Sequence, residues 1–116
     1  MRIKFLIIIS VFLVFPFCYT LAHALGSGTY YVDIQNGNNE NDGTSSGSGA
    51  WKTIHYAISQ INEGSSGSYT LNVAAGNYNL VNEEANDPII LSQSTVTVIG
   101  ASVGTTVLDG TGLSGW

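Results

Sequence analysis

The sequence predicts a mainly β protein built from stacked repeats, with one amphipathic helix near its start. Short segments alternate apolar and polar residues between turn residues, as in TYYVDI at 29–34, YTLNV at 69–73 and TVTVI at 95–99. The last two segments superpose at a spacing of 25 residues, from Val73 to Val98, and each precedes a small-residue turn. Such a spacing is typical of stacked units that bury their apolar faces only against a neighbour.

The first 24 residues predict a secretory signal peptide. Arg2 and Lys4 form a basic start, an apolar run covers 5–15, and Ala22 and Ala24 are the small residues of a cleavage site. The run is shorter than the roughly 20 residues of a membrane span. We therefore expect cleavage after Ala24, a secreted or cell-surface product, and no membrane contact after cleavage, with an uncleaved anchor as the alternative.

The charge of the remaining chain excludes one class of partner. Once the leader is removed, Lys52 is the one Lys or Arg beside eight Asp and Glu residues. Nucleic acid is then not an expected partner, because Lys and Arg supply the binding to phosphate. Cys18 leaves with the leader, so we expect no disulfide.

The hydrophobic period becomes helical at Trp51. Apolar residues recur there at the spacing of one helix face, and Gly64 is a natural stop. The predicted helix covers 51–63, after a first strand and a Gly/Ser/Asn-rich loop at 25–50, and before further strands at 69–116. The apolar face consists of Trp51, Ile54, Ala57, Ile58 and Ile61.

Several motifs occur in a characteristic order: YYVD, NGNNENDGT and WKTIHYAI, then LNVAAGNY, then VTVIGA with TTVLDGTG. Together they resemble the amino-terminal region of pectin-lyase-like proteins of bacterial surfaces and secretions. The resemblance covers nearly all of residues 29–112. It implies the start of a right-handed parallel β-helix, a solenoid, with an amino-terminal capping α-helix, and residues 69–116 would form its first, incomplete coils.

The same resemblance implies a role for the helix. A β-helix exposes its apolar interior at each end and needs a cap there. The apolar face defined above would be this structural cap, and Trp51 would be its first buried residue. The alternative from the residues alone is an ordinary core helix in a small α+β domain.

One loop carries a partial calcium motif. Asn38, Glu40 and Asp42, followed by Gly43, match the first positions of a calcium-binding loop. The twelfth position falls on Gly49, where a bidentate Glu would be expected. We therefore expect no cofactor, with calcium at these three residues as the open alternative, and a series of Asn and Asp turns as the structural reading.

Acidic residues cluster in a second loop, LVNEEANDP. Glu83, Glu84 and Asp87 lie together between two predicted coils. Loops that project from a solenoid are suited to binding, so these three are the candidate carbohydrate-binding residues, with a polysaccharide as the partner. A solvated acidic loop is the alternative.

No catalytic set is predicted in this chain. We expect a non-catalytic, carbohydrate-binding or adhesive and structural surface module at the amino-terminal end of an exported protein. The alternative is the start of an extracellular polysaccharide lyase or glycoside hydrolase whose catalytic residues lie beyond Trp116. The open end of the predicted coils would pair with further coils or with a second copy.

Overall fold

The computed structural model describes residues 24–79, 81–84 and 88–110. The predicted signal peptide lies outside these residues, apart from Ala24. No helix within the described ranges is long and apolar enough to cross a membrane. The elements in chain order are β1 (Gly28–Val32), a 3-10 turn (Gly47–Gly49), α1 (Ile54–Glu63), β2 (Tyr69–Val73), β3 (Gly76–Asn79), β4 (Val96–Gly100) and β5 (Thr106–Asp109).

The five described strands pair in parallel and form two sheets. One sheet has the order β1-β2-β4, and the other consists of β3 and β5. Tyr30, Leu71 and Val98 occupy one row across the first sheet, and Tyr78 lies beside Leu108 in the second. Parallel strands need a crossover connection, which the long loop and α1 supply between β1 and β2.

The predicted right-handed parallel β-helix is wrong for this fold. The described residues form two short parallel sheets and one helix, with no closed solenoid turn among them. The reason lies in the connections. A Gly-, Asn- and Ser-rich loop and a helix join β1 to β2, and the described parts of 80–95 contain no strand that could close a coil.

The strand register also differs from the predicted repeat. Leu71 pairs with Val98, and Val73 pairs with Gly100, so the offset is two residues longer than predicted. Side chains alternate between the two faces of a strand with a period of two. A shift by two keeps every side chain on the same face, so the alternating pattern alone could not distinguish the two registers.

The core lies between one face of the first sheet and α1. Inward residues of β1 and β2 alternate with outward ones, so that Tyr30 and Val32 are buried while Tyr31 is half-buried. Leu71 in the central strand is fully buried. The core cluster also contains Trp51, Ile54, Ala57, Ile58, Ile61, Tyr69, Val73 and Tyr78.

The helix begins at Ile54, later than the predicted start at Trp51. Thr53 precedes it in an extended conformation, and its side chain accepts a hydrogen bond from the Tyr56 backbone N–H. This is the usual arrangement of a threonine N-cap. The helix ends before Gly64, whose backbone N–H donates to the Ile61 carbonyl.

The residues predicted as a structural cap are all buried. Ile54, Ala57, Ile58 and Ile61 lie on the buried face of α1. Trp51 is also buried, but it lies before the helix, in an isolated parallel bridge with Val32. Their role as the plug of a solenoid stays a prediction.

The outer edge of β1 is closed by its own loop. The Tyr31 N–H donates to the Gly43 carbonyl over 2.8 Å, and the Tyr31 carbonyl accepts from the Trp51 N–H over 3.0 Å. The Asp33 N–H donates to the Trp51 carbonyl over 2.8 Å. The outward backbone groups of Tyr31 and the N–H of Asp33 are therefore satisfied within the chain, which protects the carboxyl-terminal part of this edge from pairing with another molecule.

Trp51 fixes this loop to the core. Its indole ring stacks on Tyr30, with the ring centroids 5.2 Å apart and the planes 8° from parallel, and it meets Tyr56 edge-on. Its Nε1–H donates to the Asn41 carbonyl over 2.8 Å. Gly43 lies directly against the indole, because a Cβ at Gly43 would come within 2.4 Å of Cε2 of Trp51.

Substituting Gly43 tests this contact, and Gly47 is the matched control. Both glycines have a positive φ, 71° and 67°, but a Cβ at Gly47 would meet nothing within 4 Å. Gly47→Ala should lower the free energy of unfolding by about 1 kcal/mol, the cost of the left-handed backbone. Gly43→Ala should cost at least about 2 kcal/mol, because the methyl group displaces Trp51.

Urea unfolding of the two variants beside the unsubstituted chain provides the measurement. Equal losses of stability in the two variants would show that Trp51 does not pack on Gly43.

Candidate functional site

The predicted calcium residues serve turns in the structure. The Asn38 Oδ1 accepts from the Glu40 N–H over 2.9 Å. The Asp42 Oδ1 accepts from the backbone N–H and the hydroxyl of Thr44, over 3.0 and 2.8 Å. These hydrogen bonds from Thr44 hold the pKa of Asp42 below its usual range. Both side chains act as Asn and Asp commonly do in turns.

The described residues of this loop contain no cluster of metal-ligating side chains. Glu40 is exposed. Within the part of the chain that the structure describes, no three His, Cys, Asp or Glu residues lie close enough to hold a metal ion. Calcium binding at Asn38, Glu40 and Asp42 therefore stays a prediction without support from the geometry.

Two asparagines between the predicted ligands organise the loop. The Asn39 Oδ1 accepts from the backbone N–H groups of Lys52 and Thr53, over 2.8 and 3.2 Å. The Asn41 Nδ2 donates to the carbonyls of Ser48 and Ala50, over 2.7 and 2.8 Å. The sequence alone assigned neither residue a role, although both alternate with Asn38, Glu40 and Asp42 along the loop.

Asp33 anchors the start of the same loop. Its side chain is buried and accepts from the backbone N–H groups of Gln35 and Asn36 and from the Asn36 amide. Burial raises the pKa of this carboxyl, but the three hydrogen bonds to the charged form outweigh it and leave the pKa below the usual range. Asp33 is thus an ionised acceptor committed to the fold.

Glu83 lies against the start of α1. Its Oε1 accepts from the Ile54 N–H over 3.1 Å, and its Oε2 accepts from the His55 N–H over 2.7 Å. The residue is buried. The first N–H groups of a helix lack partners within the helix, and a carboxylate there also interacts favourably with the helix dipole. Glu83 therefore joins the 81–84 turn to the helix.

The other two acidic residues of this cluster differ from Glu83. Glu84 is exposed and forms an ion pair with Lys52, in which Nζ and Oε1 are 3.0 Å apart. Asp87 lies outside the described residues. Both carboxylate oxygens of Glu83 accept hydrogen bonds within the protein, so this carboxylate is committed to the fold. Carbohydrate binding by Glu83, Glu84 and Asp87 stays a prediction.

The exposed apolar residues of the sheets gather at the opposite edge from the loop. Val98 is 46% exposed, although it lies in the same row as the fully buried Leu71. Leu108 is 61% exposed, although it lies beside the buried Tyr78. Ile99 and Val107 are also exposed. We call β4 and β5 together the open edge, since no described strand pairs with their outer sides.

The open edge carries little charge. β4 consists of Val, Thr, Val, Ile and Gly, and the one ionisable residue of β5 is Asp109 at its end. Proteins usually protect an edge strand with Lys, Pro, a bulge or a covering segment. Neither strand contains Lys or Pro, so the open edge lacks the residues that commonly oppose strand addition.

Comparison with known proteins identifies no relative. No protein-family model, no curated protein and no solved structure matches this chain. The resemblance to pectin-lyase-like proteins accordingly stays a prediction.

The difference between the two glutamates is testable. Glu83→Ala should lower the free energy of unfolding by about 1–3 kcal/mol, because it leaves the Ile54 and His55 N–H groups without their acceptor. Glu84→Ala, the matched control, should cost less than about 1 kcal/mol, because its ion pair with Lys52 is exposed.

Chemical unfolding followed by circular dichroism measures both values. A loss in Glu84→Ala as large as that in Glu83→Ala contradicts the capping role of Glu83.

Proposed function

We propose that this chain is an exported structural and adhesive module that binds its partner through the open edge. The observation that carries the proposal is the asymmetry between the two sides of the first sheet. β1 is closed by hydrogen bonds to Gly43 and Trp51, whereas β4 has no described strand on its outer side. Pairing can therefore extend the sheet in one direction.

The side chains at the open edge favour such an extension. Val98 and Leu108 continue rows that are buried in the preceding strands, so an added strand would complete their burial. Fully burying a side chain of this size stabilises by about 1.5–3 kcal/mol relative to exposure. Val98 and Leu108 provide apolar contacts for an added strand, and the backbone of β4 provides the hydrogen bonds.

Charge does not oppose strand addition at this place. The chain has a formal net charge of −5, but β4 has no charged residue. Long-range repulsion between acidic molecules is screened at physiological ionic strength over about 8 Å. The partner we propose is therefore a β-strand, from a second copy or from another β-structured segment, and the chain itself contributes no catalytic residue.

Lysine substitutions at the open edge test the proposal. The unsubstituted chain should associate as its concentration is raised through the micromolar range, because the exposed rows are then buried between molecules. The double variant Val98→Lys with Leu108→Lys should stay monomeric, since a buried charge opposes pairing. Sedimentation velocity over a concentration series measures the mass.

The matched control adds the same charge elsewhere. Thr29→Lys with Ser66→Lys places two lysines at exposed positions away from the open edge and should associate like the unsubstituted chain. A chain that remains monomeric throughout the series, or a control that dissociates equally, contradicts the proposal.

A further inference from the structure

The first residues after the predicted cleavage site are part of the fold. The Leu25 carbonyl accepts hydrogen bonds from the Ser65 N–H and from the Tyr69 hydroxyl, each over 3.0 Å. The Gly26 carbonyl accepts from the Tyr30 hydroxyl over 2.7 Å. Three donors from separate parts of the chain therefore bind the two residues that directly follow this site.

Packing holds the same part of the chain, residues 25–28, which we call the start segment. The side chain of Leu25 is half-buried and lies against the core cluster. Glycines in the facing loop make room for the start segment. A Cβ at Gly64 would come within 2.8 Å of the Leu25 carbonyl oxygen, and a Cβ at Gly67 would come within 2.7 Å of the Ser27 Cβ. The start segment and this loop are therefore in close contact.

The docked start segment obstructs cleavage at the predicted site. Ala24, before the bond, is exposed, whereas Leu25, after it, is held by Ser65, Tyr69 and the core. Proteases cut segments that are exposed and poorly held by the fold. The folded chain can therefore present both sides of this bond to a protease only after the start segment has opened.

The contacts also determine where the fold begins. Ala24 makes no hydrogen bond to the described part of the chain. Cleavage one residue later, after Leu25, would remove the carbonyl that accepts from Ser65 and Tyr69. The first residue that the fold uses is thus the residue that follows the predicted cleavage site.

We propose that the Ala24–Leu25 bond is hydrolysed before the start segment docks, and that docking then protects the new amino terminus. Water adds across this bond, which leaves a carboxylate on the released leader and an amino group on Leu25. A chain that folds first keeps its leader. The proposal rests on the predicted signal peptide and on the contacts of the start segment, and it is independent of the open edge.

Cleavage of the full chain by a purified signal peptidase tests this order of events. One sample is folded first in a mild non-ionic detergent, and the other is diluted from urea directly into the same detergent with the enzyme. Mass spectrometry follows the product that begins at Leu25. The folded sample should be cut at least about tenfold more slowly, because cleavage then requires opening of the start segment.

A glycine substitution tests whether docking causes the protection. Gly67→Ala places a methyl group against Ser27, so the folded variant should be cut at least about fivefold faster than the folded unsubstituted chain. Gly47→Ala is the matched control, because a Cβ at Gly47 meets nothing within 4 Å, and it should be cut like the unsubstituted chain. Circular dichroism in the same detergent confirms that each variant is folded.

Amide hydrogen exchange of the folded, unsubstituted chain gives a readout that depends on neither a variant nor the enzyme. The Ser65 N–H donates to the Leu25 carbonyl over 3.0 Å, and the Gly28 N–H donates to the Ser68 carbonyl over 3.1 Å. Both N–H groups should be protected from exchange if the start segment is docked.

Four results would overturn the proposal. They are equal cleavage rates for the folded sample and the sample from urea, no product beginning at Leu25 in either sample, equal rates for Gly67→Ala and Gly47→Ala, and free exchange of the Ser65 N–H.

Discussion

The contact between Trp51 and the first strand is the constraint on which the rest of the fold depends. The backbone of Trp51 forms hydrogen bonds with Tyr31 and Asp33, and its indole ring stacks on Tyr30. One residue thus closes the edge of β1, covers the core and brings the chain to Thr53, where α1 begins. Without this contact the loop of 33–50 would have few apolar side chains with which to bind the sheet, because most of its residues are polar or glycine.

Closing one edge determines what the other can do. On the β1 side the sheet ends at Trp51. On the other side β4 can accept a further strand, because Val98 lies exposed in the row of Leu71 and no described strand pairs there.

Sequence reasoning identified local features better than long-range ones. The helical spacing of Ile54, Ala57, Ile58 and Ile61 marks residues that are buried on one face of α1. The register of β2 with β4 could not be predicted, because a shift of two residues preserves the alternating pattern. The hydrogen bonds from Glu83 to the start of α1 could not be predicted either. They join residues about thirty positions apart, and the sequence marked the Glu83 loop only as acidic. The resemblance predicted a closed solenoid. The described residues do not form one, because a long loop and a helix join β1 to β2.

Amide hydrogen exchange of the dilute, monomeric chain tests the central claim, a sheet closed at β1 and open at β4. The N–H groups of Tyr31 and Asp33 face away from β2 but donate to Gly43 and Trp51, so they should be strongly protected. Hydrogen bonds alternate along a parallel pair, and Tyr69 donates to Thr95, so the Val98 N–H faces outward from β4 and should exchange rapidly. Rapid exchange at Tyr31 and Asp33, or strong protection at Val98 in the monomer, would contradict the account.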